Sequence, residues 1–555
     1  MVDVKGLVRR ARDELRLVLG MGVDLGSLPA VLADAYGDRP AIDAPAWPPG
    51  LPAARLRSYR ALEDDVARLA AAHDALGNAN GARVVVAVAN RIDVLLHVFA
   101  LVRVGAVPVP INPRLKPAEL AEVVRASRAT VVLADADAPL PPGARFCWSG
   151  FGATPPPHVM TGGDVGGWVS AHPAARLAPT ARLAPGATAL LLCTSGTTGH
   201  PKVATLTSAG LLRAPGRLLA APVGRDRGLR AGRDVVMCAL PLAHVMGIGT
   251  FLGALCSGTK ILHHDRFDAR AMLRRVEAER PNVFVGVPTM YADLEAEGAA
   301  HHDLSSIQVW ISAADVMPPP RARRFQRYGA AGSLLGGAVG TALFADVYGM
   351  VELSGAAAVR VYPASARGIE LPAVAFTLPG FEARVVDDAG RPLRWGVTGA
   401  LHIRGPSVLA GYEGAEGAGA PGPLPGGWFP TGDLAKLWPG SFFTFMGRGR
   451  DRLKVGGFSV FPAEVETILR EHPDVAEVVM VGVPDVRLGE RPVALVIPRR
   501  TPFDAPAFVD WARGRVAGYR RPREAIVVSA LPRGPHGKID RAEATRLAVA
   551  RLADA

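Results

Sequence analysis

The sequence has little lysine. Seven lysines stand among its 63 basic residues, so arginine carries nearly all of the positive charge. An ammonium group and a guanidinium group differ in hydration and geometry, so a lysine kept in such a chain is expected where a point charge must approach a phosphate or a carboxylate. Lys202, Lys454 and Lys538 lie in glycine-rich surroundings and are the candidates for this role.

Cysteine is also scarce. Cys147, Cys193, Cys238 and Cys256 form no CxxC pair and show no spacing typical of a metal site. No disulfide framework is implied, because four widely separated cysteines in a chain of 555 residues are not the pattern of a disulfide-stabilised protein. We therefore expect buried, reduced thiols in a cytoplasmic protein.

Long apolar runs are absent. The longest apolar region, residues 94–111, is interrupted by His97 and Arg103 and contains two prolines, which excludes a membrane-spanning helix there. The basic N-terminal segment lacks a clean apolar core and a small-residue cleavage site, so no secretory signal is predicted.

Residues 4–19 have the pattern of a basic amphipathic helix, with apolar residues at helical spacing and five basic residues elsewhere on the wheel. Two interpretations stay open. Docking onto the protein's own body is favoured, because Asp13 and Glu14 dilute the positive charge. Peripheral contact with a membrane surface is the alternative, and membrane association of a cytoplasmic protein is left open with it.

The net charge of +12 does not indicate nucleic-acid binding. The arginines are scattered along the chain rather than gathered into a stripe with interleaved aromatic residues, which make up only 6% of the chain. No nucleic-acid-binding motif is present. Anionic small molecules are the expected partners.

Residues 194–202 concentrate hydroxyls, glycines and one lysine in a single loop. Glycine lets the backbone adopt positive φ and bring its N–H groups close to an anion, while hydroxyls and an ammonium add further donors. The apolar run 189–192 before the loop predicts a buried strand, at whose carboxyl end open α/β sheets bind ligands. The sequence therefore predicts a nucleoside triphosphate site that is not a Walker A loop; a polar surface connection is the alternative. The predicted contacts are Thr194, Ser195, Gly196, Thr197, Thr198, Gly199 and Lys202.

Two domains are predicted. Residues from about 20 to 135 alternate helical patterns with short Val/Ile/Leu runs, which indicates a doubly wound parallel sheet. Proline- and glycine-rich stretches at 138–186 and 411–427 predict long surface loops. A charged turn at 447–451 precedes a strand, a helix and further strands. We place the boundary there, giving an N-terminal domain at 1–446 and a small C-terminal lid at 451–555 that carries Lys538.

Five further segments, in chain order with the phosphate loop, resemble the adenylate-forming superfamily of acyl-CoA synthetases, luciferases and peptide-synthetase adenylation domains. They are residues 241–247, 348–352, 431–434, 447–457 and 531–541. The resemblance implies an α/β fold: a large N-terminal domain of doubly wound sheets with a closing β-barrel-like subdomain, and a small mobile α+β C-terminal domain. It also implies ATP, Mg²⁺ and CoA.

The resemblance gives roles to single residues. Glu352 matches the magnesium ligand, and Tyr348, followed by Gly349, matches the ring that stacks on adenine. Asp433 and Arg448 match the ribose contacts, with a capped turn as the alternative for Asp433 and a core aromatic as the alternative for Tyr348.

Further roles belong to adenylate formation and to the acyl transfer that follows it. Lys538 resembles the lysine that reaches the substrate carboxylate and the α-phosphate, although a solvated turn lysine is its alternative. Lys202 and His244 lie in the matching catalytic motifs. Lys454 is a candidate cofactor contact. Gly457 lies near the tunnel of the pantetheine thiol, and Arg450 stands at the hinge position, where the family usually has Asp or Lys.

The absence of one residue type partly indicates which carboxylic acid is the substrate. Amino-acid-activating members carry an aspartate after the fourth motif, whereas His244 is followed here by apolar residues and glycines. Residues 286–290 and 311–314, which match the pocket walls, are mostly apolar or small. We therefore expect a medium- or long-chain fatty acid, converted through an acyl-adenylate to an acyl-CoA. Transfer to an acyl carrier protein and a nucleotide-binding pseudoenzyme are the alternatives.

The chain departs from the family pattern at several positions. Val351 stands where the family has a threonine that touches the α-phosphate. Loss of one such donor costs on the order of a hundredfold in rate. Val203 replaces a glycine after the lysine, Ala243 replaces an aromatic residue before the histidine, and the connection at 330–343 is longer than usual.

Overall fold

We analysed a computed structural model of the chain. It describes residues 22–79, 81–112, 115, 117–135, 158–178, 183–184, 186–194, 202–219, 230–334, 337–364, 374–413, 422–455, 458–516, 518–534 and 539–553. The amphipathic segment 4–19 lies outside this part of the chain. So do Ser195, Gly196, Thr197, Thr198, Gly199, Gly457 and Lys538.

The described helices are α1 (Leu28–Tyr36), α2 (Tyr59–Ala75), α3 (Asp93–Arg103), α4 (Pro117–Ser127), α5 (Gly162–Ala171), α6 (Ser208–Leu219), α7 (Val245–Cys256), α8 (Ala269–Glu279), α9 (Pro288–Ala296), α10 (Pro319–Tyr328), α11 (Pro462–Leu469), α12 (Ala505–Arg513) and α13 (Arg541–Ala553). Their starts follow ordinary capping chemistry. The Ser58 and Asp268 side chains accept backbone N–H bonds at the starts of α2 and α8. None of the helices in the described residues is long and apolar enough to cross a membrane.

The described strands are β1 (Pro40–Asp43), β2 (Leu56–Ser58), β3 (Arg83–Ala87), β4 (Val107–Pro110), β5 (Val131–Ala134), β6 (His158–Thr161), β7 (Thr188–Thr194), β8 (Lys202–Thr207), β9 (Val235–Cys238), β10 (Lys260–His263), β11 (Val283–Gly286), β12 (Val309–Ala313), β13 (Gly332–Leu334), β14 (Gly337–Val339), β15 (Leu343–Met350), β16 (Gly355–Tyr362), β17 (Val374–Thr377), β18 (Glu382–Val386), β19 (Thr398–Arg404), β20 (Gly411–Tyr412), β21 (Trp428–Trp438), β22 (Phe442–Arg448), β23 (Leu453–Val455), β24 (Phe458–Val460), β25 (Val475–Asp485), β26 (Gly489–Pro498) and β27 (Glu524–Val527).

The chain divides into two compact units. The first comprises Met1–Phe381 and Arg404–Phe429, and the second comprises Glu382–Ile403 and Pro430–Ala555. The domain division predicted from the sequence, 1–446 and 451–555, stays a prediction.

The first unit contains two parallel sheets. In the larger one, β15, β12, β11, β9, β10 and β1 are parallel neighbours in that order, and β16 and β17 continue it antiparallel beyond β15. The smaller sheet has the order β4-β3-β5-β6, all parallel. Both follow from buried Val/Ile/Leu strands that alternate with helices, so the doubly wound α/β class is confirmed.

A third sheet of the first unit is antiparallel, with the order β20-β8-β7. The apolar run at 189–192 forms the buried part of β7, as predicted. The barrel-like closure of this region stays a prediction.

The loop predicted at 138–186 is wrong for residues 158–171, which form β6 and α5. Tertiary packing overrides the glycine-rich composition here. A side chain at Gly166 would collide with Pro49, so the glycine is needed for a close approach. The long connection at 330–343 contains the hairpin of β13 and β14.

The second unit contains a sheet with the order β24-β23-β26-β25, with β27 parallel to β26. Successive residues of β25 face opposite sides. Val478 and Met480 pack in a core with Val465 of α11 and Phe508 of α12, whereas Val479 and Val481 pack with Ala544 of α13. The helix and strands predicted after 451 are present. The second unit's strands β18, β19, β21 and β22 are hydrogen-bonded neighbours in that order.

Candidate active site

The predicted phosphate loop joins the ends of two paired strands. Thr194 is the last residue of β7 and Lys202 the first of β8, and the two are register partners. The loop between them lies outside the described residues, but both of its ends are fixed by the antiparallel ladder. The structure therefore holds Lys202 at the base of the loop.

Glu352 lies just beyond β15, at the carboxyl end of a strand in the larger parallel sheet. A 3-10 turn, Val351–Leu353, carries it, and Ser354 follows in a left-handed conformation with φ 54°. Ligands bind at such strand ends in open α/β sheets. Its role as a magnesium ligand stays a prediction.

The Glu352 carboxylate has one described partner. The Tyr412 hydroxyl donates to Glu352 Oε1 at 2.9 Å. Burial, together with the negative charge of Glu352, raises the pKa of Tyr412, so the phenol stays protonated and remains a donor. Tyr412 could not be predicted from the sequence, because a tyrosine beside a glycine-rich stretch carries no chemical signature of its own.

The backbone around Glu352 is held by the same segment. Leu409 N donates to Glu352 O at 2.8 Å, and Ser354 Oγ donates to Ser407 O at 2.7 Å. We call residues 407–413 the bridging segment. Its other end pairs with β8, so the part of the chain that contacts Glu352 also contacts the strand that starts at Lys202.

Tyr348 and Gly349 lie on β15, paired with β16. Tyr348 is half-buried, unlike Phe344 on the same strand, which is fully buried in the aromatic core. A side chain at Gly349 would overlap the backbone of Gly355 on β16. Gly349 is therefore required by strand packing, and its contact with a nucleotide stays a prediction.

His244 caps the start of α7. Its Nδ1 accepts from Met246 N at 3.3 Å. The backbone before His244 is held by Asn90, which follows β3. Asn90 Oδ1 accepts from Leu242 N at 2.7 Å, and Asn90 Nδ2 donates to Asp265 O at 3.2 Å. Asn90 was missed from the sequence, since only the tertiary structure brings the region after β3 to the motif at 241–247.

In the second unit, Asp433 and Arg448 face each other on β21 and β22. Arg448 Nη1 lies 3.0 Å from Asp433 Oδ1. The Asp433 side chain is 1% exposed and the Arg448 side chain 41% exposed. The pair predicted to bind ribose is thus assembled by strand register, and Asp433 is a strand residue rather than the cap of a turn.

Lys454 is exposed on β23, and its backbone N–H donates to Glu490 Oε2 at 2.5 Å. The described residues on either side of Lys538 close a loop, because Arg533 and Ile539 form a bridge and Asp540 N donates to Pro532 O at 2.9 Å.

A buried ion cluster supports this region. Arg541 pairs with Glu466 at 2.7 Å and with Asp451 at 3.1 Å. Burial opposes the charge on Glu466, but Arg541 and Arg470 outweigh it and hold the pKa of Glu466 below its usual value. The cluster therefore links the turn that contains Arg450 to the segment that follows Lys538.

Magnesium needs few protein ligands in a nucleotide site. Among the described residues, no group of three or more His, Cys, Asp or Glu side chains could hold a metal ion. A Mg²⁺ ion that is bound to a nucleoside triphosphate is held by one or two carboxylates and by phosphate oxygens. Glu352, whose Oε2 has no hydrogen-bond partner in the described residues, fits this requirement.

Three features of this chain are typical of an adenylate-forming enzyme, which joins a carboxylic acid to AMP. They are a hydroxyl-rich loop between paired strands, a carboxylate at the end of another strand, and a separate Asp–Arg pair. The chain belongs to the AMP-binding enzyme family, whose model matches residues 31–413, and residues 464–538 match the AMP-binding enzyme C-terminal domain.

Relatives of known activity agree with this family. The chain is 32% identical to the indoleacetate–CoA ligase of Aromatoleum aromaticum, over 89% of this chain and 93% of that protein. It is 31% identical to a feruloyl-CoA synthase of Amycolatopsis sp., over 88% of this chain and 93% of that protein. The crystal structure of ATP-bound MatB from Rhodopseudomonas palustris matches with a TM-score of 0.78 and 26% identity, covering 95% of this chain and 99% of MatB.

The chain is therefore an acid–thiol ligase of the adenylate-forming superfamily. It uses ATP and Mg²⁺ to activate a carboxylic acid as an acyl-adenylate, and CoA is its co-substrate. The predicted fold class, a large N-terminal sheet domain with a small C-terminal domain, is confirmed.

Proposed function

We propose that the chain converts an aromatic carboxylic acid into its CoA thioester. The observation that carries this proposal is the set of relatives, which are named for indoleacetate, feruloyl and 4-coumarate and align over most of this chain. The fatty acid expected from the sequence is not supported by these relatives. It stays the second candidate, because apolar pocket walls also suit an aliphatic chain.

The residues at the ends of β11 and β12 support an acid whose substituent is uncharged. Gly286 and Ser312 are register partners there, and Ala313 pairs with Val347 on the strand that continues to Tyr348. Residues 286–290 and 311–314 contain no charged side chain, so the substituent on the acid need not be charged.

The reaction assigns tasks to the residues predicted to contact the phosphates, the ribose, Mg²⁺ and the substrate carboxylate. The substrate carboxylate attacks the α-phosphorus of ATP and pyrophosphate leaves, so negative charge must be stabilised on the phosphate oxygens. Lys202 and the loop 195–199 would hold the phosphates, and Asp433 and Arg448 would hold the ribose. Glu352 would hold Mg²⁺, which would neutralise phosphate charge. Lys538 brings the carboxylate to the α-phosphate, and the CoA thiol then displaces AMP.

Pyrophosphate release with Mg-ATP tests the proposal. The panel contains indole-3-acetate, ferulate, 4-coumarate and fatty acids of short, medium and long chain, each with and without CoA. We expect CoA-dependent turnover with an aromatic acid at a kcat/KM about a hundredfold above that of any fatty acid. Preference for a fatty acid would refute the proposal, and turnover that CoA does not stimulate would point to a carrier protein.

A pair of glycine variants locates the acid. In Gly286→Ala, the new methyl group lies 3.0 Å from the Phe284 ring and 3.4 Å from the Tyr291 ring, so these buried rings must shift at the end of β11. In the control, Gly332→Ala, the methyl group meets nothing within 4 Å. We expect a raised KM for the aromatic acid in Gly286→Ala only, with the Kd of ATP unchanged in both. An unchanged KM would place the acid elsewhere.

A further inference from the structure

We propose that Tyr412 is a positioning residue that orients the Glu352 carboxylate toward the Mg²⁺–ATP complex. The inference rests on the adenylate-forming class of the enzyme and not on which acid it activates.

The hydrogen bond from Tyr412 divides the carboxylate into two different oxygens. Tyr412 donates to Oε1 at 2.9 Å, which leaves Oε2 without a partner among the described residues. When one oxygen of a carboxylate is fixed by a hydrogen bond, the direction of its second oxygen is restrained as well. Partners that orient a metal ligand in this way typically change metal affinity about 10- to 100-fold when they are removed.

The bridging segment 407–413, which contains Tyr412, contacts both the turn that carries Glu352 and strand β8. On one side it holds the backbone of Glu352 through Leu409 and the side chain of Ser354 through the carbonyl of Ser407. On the other side Tyr412 is the register partner of Ala204, and Glu413 N donates to Val203 O at 2.9 Å. The magnesium ligand and the strand that begins at Lys202 are thus tied to the same few residues.

An ion pair fixes the end of the bridging segment. The Arg83 guanidinium donates to both carboxylate oxygens of Glu413, at 2.8 and 3.1 Å, and also to Ser127 O at 2.8 Å. A bidentate pair restrains direction as well as distance. Tyr412 therefore stands on a backbone that cannot easily shift between Glu352 and β8, which is the requirement for a side chain that sets the direction of a carboxylate.

The test measures nucleotide binding without any acid, so the nature of the acid does not affect it. Calorimetric titrations with ATP at several Mg²⁺ concentrations, and with AMP, compare the wild type with Tyr412→Phe, which removes only the hydroxyl. The matched control is Tyr362→Phe, because the buried Tyr362 hydroxyl has no hydrogen-bond partner in the part of the chain that the structure describes. We expect the Mg²⁺ concentration needed for half of the full ATP affinity to rise about tenfold in Tyr412→Phe, with the Kd of AMP unchanged.

A double variant separates positioning from stability. If Tyr412 acts through Glu352, then Tyr412→Phe has no further effect on the Mg²⁺ dependence in a Glu352→Gln background. Additive effects would overturn the proposal. So would an unchanged Mg²⁺ dependence in Tyr412→Phe, or an equal loss of affinity for AMP and ATP, since a general structural change weakens both ligands.

Discussion

The Arg448 guanidinium lies 3.0 Å from the Asp433 carboxylate, across adjacent strands of one unit. The carboxylate is buried and the guanidinium is partly exposed, so the cation compensates the acid on the side open to solvent. A buried carboxylate needs such compensation. A ribose would meet a buried acceptor whose charge is already compensated by its neighbour.

Replacement of Asp433 by alanine is expected to weaken ATP binding. A hydrogen bond to a charged group is worth about 1.5–3 kcal/mol, so the Kd of ATP should rise roughly 10- to 150-fold. Arg448→Lys keeps the charge near Asp433 but loses the planar fork, and a smaller rise is expected. Calorimetry measures both variants. An unchanged Kd in Asp433→Ala would remove Asp433 from the nucleotide site.

Removal of the Lys202 ammonium is expected to lower the rate of adenylate formation. Removing a group that stabilises charge in the transition state typically lowers the catalytic rate about 100- to 1,000-fold. ATP–pyrophosphate exchange measures the loss in Lys202→Ala. The control is Lys260→Ala, whose ammonium pairs with Glu279 on the surface at 3.4 Å. Equal rates in the two variants would show that Lys202 is not a phosphate contact.

Asn90→Ala is expected to loosen the backbone before His244. It removes an acceptor 2.7 Å from Leu242 N, which should raise the KM for the acid about tenfold, equivalent to roughly 1.4 kcal/mol. Asn282→Ala is the matched control, because Asn282 Oδ1 accepts from Val235 N at 3.0 Å, away from the motif. A similar loss of thermal stability in both variants, with a changed KM only in Asn90→Ala, supports the positioning of the motif.

Val351→Thr is expected to increase activity. The residue begins the turn that carries Glu352 and is 6% exposed, and a hydroxyl there would restore the donor that the family usually has. The rate of adenylate formation should rise about 10- to 100-fold. Val359→Thr places the same change on β16 as a control. If Val351→Thr gains nothing while folding normally, another group already supplies the donor.

Two buried histidines make stability depend on pH. His73 Nε2 and His97 Nδ1 are 2.9 Å apart. Burial, with His97 nearby, lowers the pKa of His73 well below its usual value, and burial, with Arg91 nearby, lowers the pKa of His97 from 6.5 to about 4. The unfolded chain therefore binds more protons at these two sites, so we expect the free energy of unfolding to fall as the pH drops from 6.5 toward 4.

Urea unfolding at several pH values measures this effect. A histidine that must stay neutral costs about 1.4 kcal/mol for each pH unit below its unfolded pKa. His97→Gln should flatten the dependence, whereas His172→Gln, which changes an exposed ring stacked on Trp168, should not. An unaltered slope in His97→Gln would contradict the assignment.

Local patterns predicted much of the fold. The buried strand at 189–192 and the strands and helix after 451 follow from hydrophobic periodicity, which acts over a few residues. The helix α5 did not follow, because glycines disfavour a helix locally and the close approach of Gly166 to Pro49 joins residues that are far apart in the sequence. The contacts of Tyr412 and Asn90 could not be predicted either, since each joins elements that are far apart in the sequence.

The sequence by itself determined the class of chemistry, because phosphate binding requires glycines, hydroxyls and a lysine close together along the chain. It also determined the candidate pairing of Asp433 with a nucleotide. Only the tertiary structure decided which side chains hold these residues in place. Strand register brought Arg448 to Asp433, and the pairing of β20 with β8 brought Tyr412 to Glu352. Local composition selects a reactive group, whereas its direction is set by neighbours that meet only in the folded chain.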